Sequence, residues 1–161
     1  VPIVTRGLNR VIINKRVRIL PGLRIETHYK GSIVIEENVS IGQNFHITSA
    51  GNLLIGSNST ILGNTFITNI DHDYQEIGKH VLEQDFKVSE TKIGKNCFIG
   101  YGVAIQAGTI LGIQCVVGAN SVVRGVFPDY CVIVGVPAKV IKRYNLETKA
   151  WERTNPDGSF L

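Results

Sequence analysis

A chain of 161 residues with 43% hydrophobic content suits one domain built on a continuous core. Its 17 Lys+Arg against 13 Asp+Glu leave a net charge of +4, too small and too dispersed for a nucleic-acid partner but enough to help hold a phosphorylated small molecule. No apolar run reaches the length of a membrane span and no signal peptide is visible, so a cytoplasmic protein without a membrane segment is expected.

In chain order, residues 1–32 are the least regular. Aliphatic residues cluster at Val11–Ile13, Val17–Leu20 and Ile25, Pro21-Gly22 marks a turn, and Arg6, Arg10, Lys15, Arg16, Arg18 and Arg24 make the stretch basic. The pattern predicts an imperfect opening coil with a solvated basic edge. From Ile35 the aliphatic residues fall six apart: Ile35, Ile41 and Ile47, then, after a two-residue slip at Ala50–Leu54, Ile55, Ile61 and Ile67. His46, next to Phe45, is expected to point outward at a corner.

Between Ile67 and Ile93 the repeat is suspended. The intervening Thr68–Lys92 is polar, charged and aromatic, and a coil cannot absorb that many residues, so an extruded loop is expected. It opens with Asn69-Ile70-Asp71-His72-Asp73-Tyr74. An adjacent carboxylate can hold an imidazole in one tautomer, which is how a general base is prepared, although a surface loop histidine fits the motif as well. His28 and His80 have no such setting and read as surface residues.

The repeat returns at Ile93 and runs without interruption to Val123. The first residue of each hexad is aliphatic, the next is Gly in four of five, and the fifth is Cys97, Val103, Thr109, Cys115 or Ser121. A period of six matches neither the 3.6 of a helix nor the 2.0 of a two-faced strand. A three-sided prism does return the aliphatic residue to one interior: each hexad makes a short strand and a corner, three hexads make a coil, and stacked coils share a core. Gly is expected where a corner needs unusual dihedrals. Cys97 and Cys115, three hexads apart, should stack in that core; with Cys131 they read as small, reduced core side chains rather than a metal or redox site.

The closing segment contains Gly118-Ala119-Asn120-Ser121-Val122-Val123 and Gly135-Val136-Pro137-Ala138-Lys139-Val140-Ile141-Lys142. Together with the hexads and the loop histidine, these motifs resemble the left-handed β-helix hexapeptide-repeat acyltransferases, in particular the O-acetyltransferases of galactosides, maltose and bacterial surface polysaccharides. The resemblance covers roughly Ile35 to Arg143. It implies an all-β, left-handed parallel β-helix forming a single domain over 1–161, with residues 68–92 as the extruded active-site loop and 143–161 as a C-terminal tail. In the tail, Asn145–Thr154 is expected to form a short helix, with Leu146, Ala150 and Trp151 on one apolar face, covering the open end of the prism.

The same resemblance implies acetyl transfer from acetyl-CoA, with no metal, to a hydroxyl of a sugar or glycan precursor. His72 is then the general base, with Asp71 or Asp73 beside it. Gly100, Tyr101, Gly118 and Ala119 line the pantetheine arm; Arg124, Lys139 and Lys142 meet the coenzyme phosphates. Asn44, His46, Asn69 and Asp73 are the acceptor-side candidates. A homotrimer is implied, with each site between two subunits. Alternatives are N-acyl transfer to an amino sugar, a non-catalytic binding scaffold, and a zinc carbonic anhydrase on the same scaffold, which needs three convergent histidines.

Overall fold

The computed structural model describes residues 2–161. Strands of two to five residues alternate with tight corners, and the chain winds repeatedly through three faces of a prism. Face 1 stacks Val4–Arg6, Arg24–Thr27, His46–Ser49, Phe66–Thr68, Ala104–Ile105 and Val122–Val123. Face 2 stacks Val11–Ile13, Ser32–Ile35, Asn52–Ile55, Thr91–Ile93, Ile110–Leu111 and Val126–Phe127. Face 3 begins with Arg18–Ile19 and ends with Cys131–Gly135, extended by Ala138–Asn145 and Ala150–Arg153. The stacked coils pair in parallel, and the hexad residue lies in register from coil to coil: Ile35, Ile55, Ile93 and Leu111 on face 2, Ile41, Ile61, Ile99 and Val117 on face 3, and Ile47, Ile67, Ile105 and Val123 on face 1.

These ladders are the core. Ile35, Ile47, Ile55, Ile67, Ile93, Ile99 and Ile105 are all fully buried, each contributing about 1.5–3 kcal/mol of transfer free energy. The fifth-place residues share the interior with them. Cys97, Cys115 and Cys131 are free, buried thiols, with Cys97 Sγ donating to the Gly112 carbonyl (3.2 Å) and Cys115 Sγ to the Pro128 carbonyl (3.3 Å). The adjoining Cys115 thiol, helped by burial, pushes the Cys97 and Cys131 thiols up.

Gly102 (φ 70°) and Gly108 (φ 82°) take the corner dihedrals expected of glycine, but the glycines at the second place of the hexads serve a different purpose. A Cβ on Gly56 would lie 2.6 Å from the carbonyl carbon of Gly94, and one on Gly94 would lie 2.2 Å from the Gly112 carbonyl oxygen. What excludes a side chain is the backbone of the next coil, packed one rung away. The positive φ of the corner falls instead two residues later, on Asn58 (60°), Asn64 (56°) and Asn96 (57°), a conformation Asn tolerates better than other non-glycine residues. Those asparagines also join neighbouring coils, with Asn38 Nδ2 donating to Asn58 Oδ1 at 2.9 Å and Asn44 Nδ2 to Asn64 Oδ1 at 3.1 Å.

Two expectations need correction. The tail is not helical: Ala138–Asn145 runs back antiparallel to Cys131–Gly135, and Ala150–Arg153 pairs with it in turn. Asn145 Oδ1 accepts from the Glu147 amide at 2.9 Å and Lys149 adopts φ 56°, so a tight turn forms where a helix would have continued. A helix this short is marginal alone, whereas the exposed strand edge offers a complete ladder, and the Tyr144 and Trp151 rings meet across it at 5.7 Å. The end of face 3 is thus covered, but by strands. The extruded segment, for its part, is not an irregular loop. It carries an antiparallel hairpin, Ile70–His72 with Phe86–Val88, closed by a 3-10 turn at Val81–Glu83.

Candidate active site

The hairpin leaves the prism at the edge between faces 1 and 2, and its base is pinned by Asn69. This side chain is fully buried; its Oδ1 accepts from the Ala50 amide and its Nδ2 donates to Ser49 Oγ, both at 2.9 Å. It is therefore closed to an acceptor, contrary to the expectation from sequence, because both of its polar atoms satisfy the corner below. Val88 packs over Gly51, where a Cβ would come within 2.7 Å of its Cγ1, and Phe86 stacks on Tyr29 at 5.1 Å.

Strand geometry then decides what surrounds His72. Successive side chains of a strand point to opposite faces, so His72 shares its side of the hairpin with Phe86, directly across from it (6.4 Å between rings), while Asp71 and Asp73 point the other way. Asp71 makes a two-pronged ion pair with Arg124, and Asp73 lies 3.6 Å from Lys87 Nζ. Among the described residues neither carboxylate hydrogen-bonds the His72 imidazole. Adjacency in sequence, which offered Asp71 or Asp73 as the orienting carboxylate, becomes separation once the segment is extended. The His72 side chain itself is exposed. His80 caps the 3-10 turn, its Nδ1 accepting from the Leu82 amide at 3.2 Å.

On face 1, His46 is half-buried within a strand and not at a corner. It stands beside Arg24 on the neighbouring strand and over the Phe66 ring at 4.9 Å. Its Nε2 lies 3.5 Å from Glu26, whose carboxylate accepts from Arg24 Nε at 2.7 Å. Burial, reinforced by the Arg24 charge, lowers the His46 pKa. Burial works to raise Glu26, but the Arg24 hydrogen bond and charge outweigh it and leave the carboxyl below its ordinary value. Sequence reasoning placed Arg24 on a solvated edge and passed over Glu26; only the coil-to-coil register brings them to His46.

Gly100, Tyr101, Gly118 and Ala119 lie together at the edge between faces 3 and 1, with the Gly100 backbone against Ala119. Asn44 belongs to this edge too, and Asn64 Nδ2 donates to the Tyr101 hydroxyl. Lys139 and Lys142 extend along the last strand but one of face 3 and flank a shallow groove with Arg153 on the edge strand, a third cation missed by the sequence because it lay in the expected helix. Within the chain the candidate residues are thus split. His72 stands on one edge of face 1, the glycine-lined stretch stands on the opposite edge, and Arg24, Glu26, His46 and Phe66 lie between them.

Comparison with known proteins agrees with this architecture. A family model described as hexapeptide repeat of succinyl-transferase matches residues 90–124. The putative lipopolysaccharide biosynthesis O-acetyl transferase WbbJ of Escherichia coli is 40% identical over 82% of this chain and 71% of its own length. The probable acetyltransferase Rv3034c of Mycobacterium tuberculosis is 32% identical over 92% of this chain, and the galactoside O-acetyltransferase of E. coli is 32% identical over 67%. The chain spans about half the length of these last two, 48% and 55%. Among solved structures, the N-acyltransferase AntD of Bacillus cereus, in complex with dTDP and 3-hydroxybutyryl-CoA, superposes with a TM-score of 0.73 at 20% identity over 90% of this chain and 78% of its own. A galactoside acetyltransferase in complex with coenzyme A gives 0.65 at 21% over 96% and 74%. At such identities the structural likeness speaks for the fold alone; the family rests on the sequence match, and by it the chain belongs to the hexapeptide-repeat acyltransferases.

Proposed function

We propose that this chain transfers an acetyl group from acetyl-CoA to a hydroxyl of a sugar or surface-polysaccharide precursor, as a cytoplasmic homotrimer, with His72 as general base. The observation that carries the proposal is the exposed His72 on a rigidly based hairpin, in a chain whose relatives bear the names of O-acetyltransferases of lipopolysaccharide and galactosides. In the proposed step His72 takes the proton of the acceptor hydroxyl as its oxygen attacks the thioester carbonyl; the C–S bond then breaks and the thiolate leaves, protonated to the free thiol.

The split of the candidate residues across two edges is the reason for invoking a trimer. A coenzyme lying on the face 3/face 1 edge of one copy would be served by the His72 hairpin of the next, with the Arg24, Glu26, His46 and Phe66 surface as the wall that receives the acceptor. The Lys139, Lys142 and Arg153 groove fits the coenzyme phosphates, because it gathers three cations on the two strands that extend the end of face 3. The test is a screen of sugars and nucleotide sugars for thiol release from acetyl-CoA by the purified protein, with NMR of the product and sedimentation of the enzyme. An O-acetyl ester formed by a trimer supports the proposal. An N-acetyl product from an amino sugar replaces its chemistry, and a fully active monomer rejects its assembly.

A further inference from the structure

We infer that Arg124 is a positioning residue for the His72 hairpin, acting through Asp71, and not a ligand of the coenzyme phosphates; this rests on His72 being the base. Arg124 follows directly on Val123, the last hexad residue of face 1, and reaches Asp71, 53 residues earlier, with two guanidinium nitrogens on the two carboxylate oxygens. Exposed ion pairs are generally weak. This one has the two-pronged geometry that gives an arginine–carboxylate pair its directional strength, and its place in the fold assigns it a task beyond stability.

The hairpin springs from the level of strand Phe66–Thr68. Below that level, Phe86 leans on Tyr29, which follows a face 1 strand two rungs down; above it, Arg124 follows a strand two rungs up. At about 4.8 Å per rung, the strands that precede Tyr29 and Arg124 stand some 20 Å apart along the prism axis, and the two side chains converge on neighbouring positions of the hairpin from below and above. Phe86 is the residue opposite His72 and Asp71 is the residue before it. The two contacts therefore restrain the segment bearing the imidazole from opposite directions, and releasing the upper one frees it to tilt about Phe86. A guanidinium already engaged on both prongs is also poorly placed to take a phosphate.

Arg124→Ala, Asp71→Asn, the double variant and the reversed pair Asp71→Arg with Arg124→Asp should be compared for kcat, KM for acetyl-CoA, and the Kd of coenzyme A by calorimetry. Each single variant is expected to lower kcat by roughly tenfold, within the hundredfold that a misplaced catalytic group can cost. The double variant should be no worse than either single, the reversed pair should recover a substantial part of the loss, and Kd should stay unchanged. Weaker coenzyme A binding by Arg124→Ala but not Asp71→Asn would make Arg124 a phosphate ligand after all, and additive losses would equally overturn the inference. His72→Ala serves as the control for the underlying function. If that variant stays active the general-base assignment fails, and the strap is then judged by hydrogen exchange: faster exchange of the 70–72 and 86–88 amides in both single variants supports it, and unchanged exchange refutes it.

Discussion

Lys139 and Lys142 stand on the same side of their strand although they are three positions apart in sequence. An odd separation normally sends two strand side chains to opposite faces. Here Lys139 pairs with Val134 and Lys142 with Val132, two residues apart on the partner strand, because the register shifts between Val132 and Ile133. This β-bulge re-aims the second lysine, and Arg153, opposite Lys142, joins the same side. Among the described residues none of the three is ion-paired.

Three unpaired cations on one strip lead to a binding prediction. With each charge-assisted contact worth about 1.5–3 kcal/mol, Lys139→Ala with Lys142→Ala should raise KM for acetyl-CoA by at least tenfold, and Arg153→Ala should raise it by a smaller factor. Turnover should change little, and the salt dependence of binding should flatten as cations are removed. Titrating coenzyme A at two ionic strengths checks this; an unchanged affinity at low salt would take the phosphates away from this strip.

The stacking of the glycine corners predicts an asymmetry between two substitutions in one hexad. Gly94→Ala drives a Cβ against the Gly112 carbonyl, and neither backbone can retreat without parting the coils, so a loss on the order of 1–3 kcal/mol is expected, as for an overpacked core. Asn96→Gly sits two residues away at a φ of 57°, which glycine adopts freely, and should cost a few tenths of that. Chemical denaturation of the two variants measures the difference; equal losses would put the strain in the dihedrals instead.

His46 predicts an acid sensitivity. Its folded pKa lies below the ordinary 6.5, so between 6.5 and that lower value the unfolded chain binds a proton that the folded chain refuses. Stability contributed by the neutral imidazole is therefore complete above 6.5 and declines as pH falls through this window. Glu26, whose folded pKa is also depressed, adds a second decline that begins near 4.5 and continues downward. His46→Gln should flatten the unfolding free energy between pH 7 and 5 relative to wild type. A variant with the same pH slope as wild type would show that the residue titrates as a free histidine.

The period of six made the prism legible, since an aliphatic residue returning every sixth place has few other interiors to occupy, and it made the departure at residue 68 equally plain. What remained hidden was whatever depends on extended pairing outside the period. Asn69 looked like a polar loop residue; it is buried because the corner at Ser49–Ala50 offers it a hydroxyl and an amide. Asp71 and His72 looked like partners until strand alternation turned them apart. The Asn145–Thr154 helix failed because helical spacing in a short tail competes poorly with a free strand edge. The Arg24–Glu26–His46 cluster joins residues about one coil apart, and no local motif reports such a register.

The last prediction concerns His72 itself. The proposed reaction needs a group that is uncharged near neutrality yet basic enough to draw a proton from an alcohol as it attacks a thioester; among side chains imidazole meets both conditions, whereas lysine is protonated and an exposed carboxylate is too weak a base. Of the four histidines, His80 is engaged as a helix cap and His46 is packed on Phe66 beside Glu26. His28 stands among Arg6, Arg10 and Arg24, with burial the larger cause of its lowered pKa, and it lies at the level of an earlier coil. His72 stands exposed on the hairpin at the face 1/face 2 edge. General-base assistance contributes about 10²–10⁴-fold, so His72→Ala should lower kcat by about that factor while coenzyme A binds as before. Because neither neighbouring carboxylate touches the ring, Asp73→Asn should leave kcat within about threefold of wild type, far short of the loss expected for an orienting carboxylate in direct contact. A His72→Ala enzyme that binds coenzyme A normally and keeps more than about a tenth of wild-type kcat would fall outside that range and would move the search for the base to His46, the other histidine on the face between the two edges.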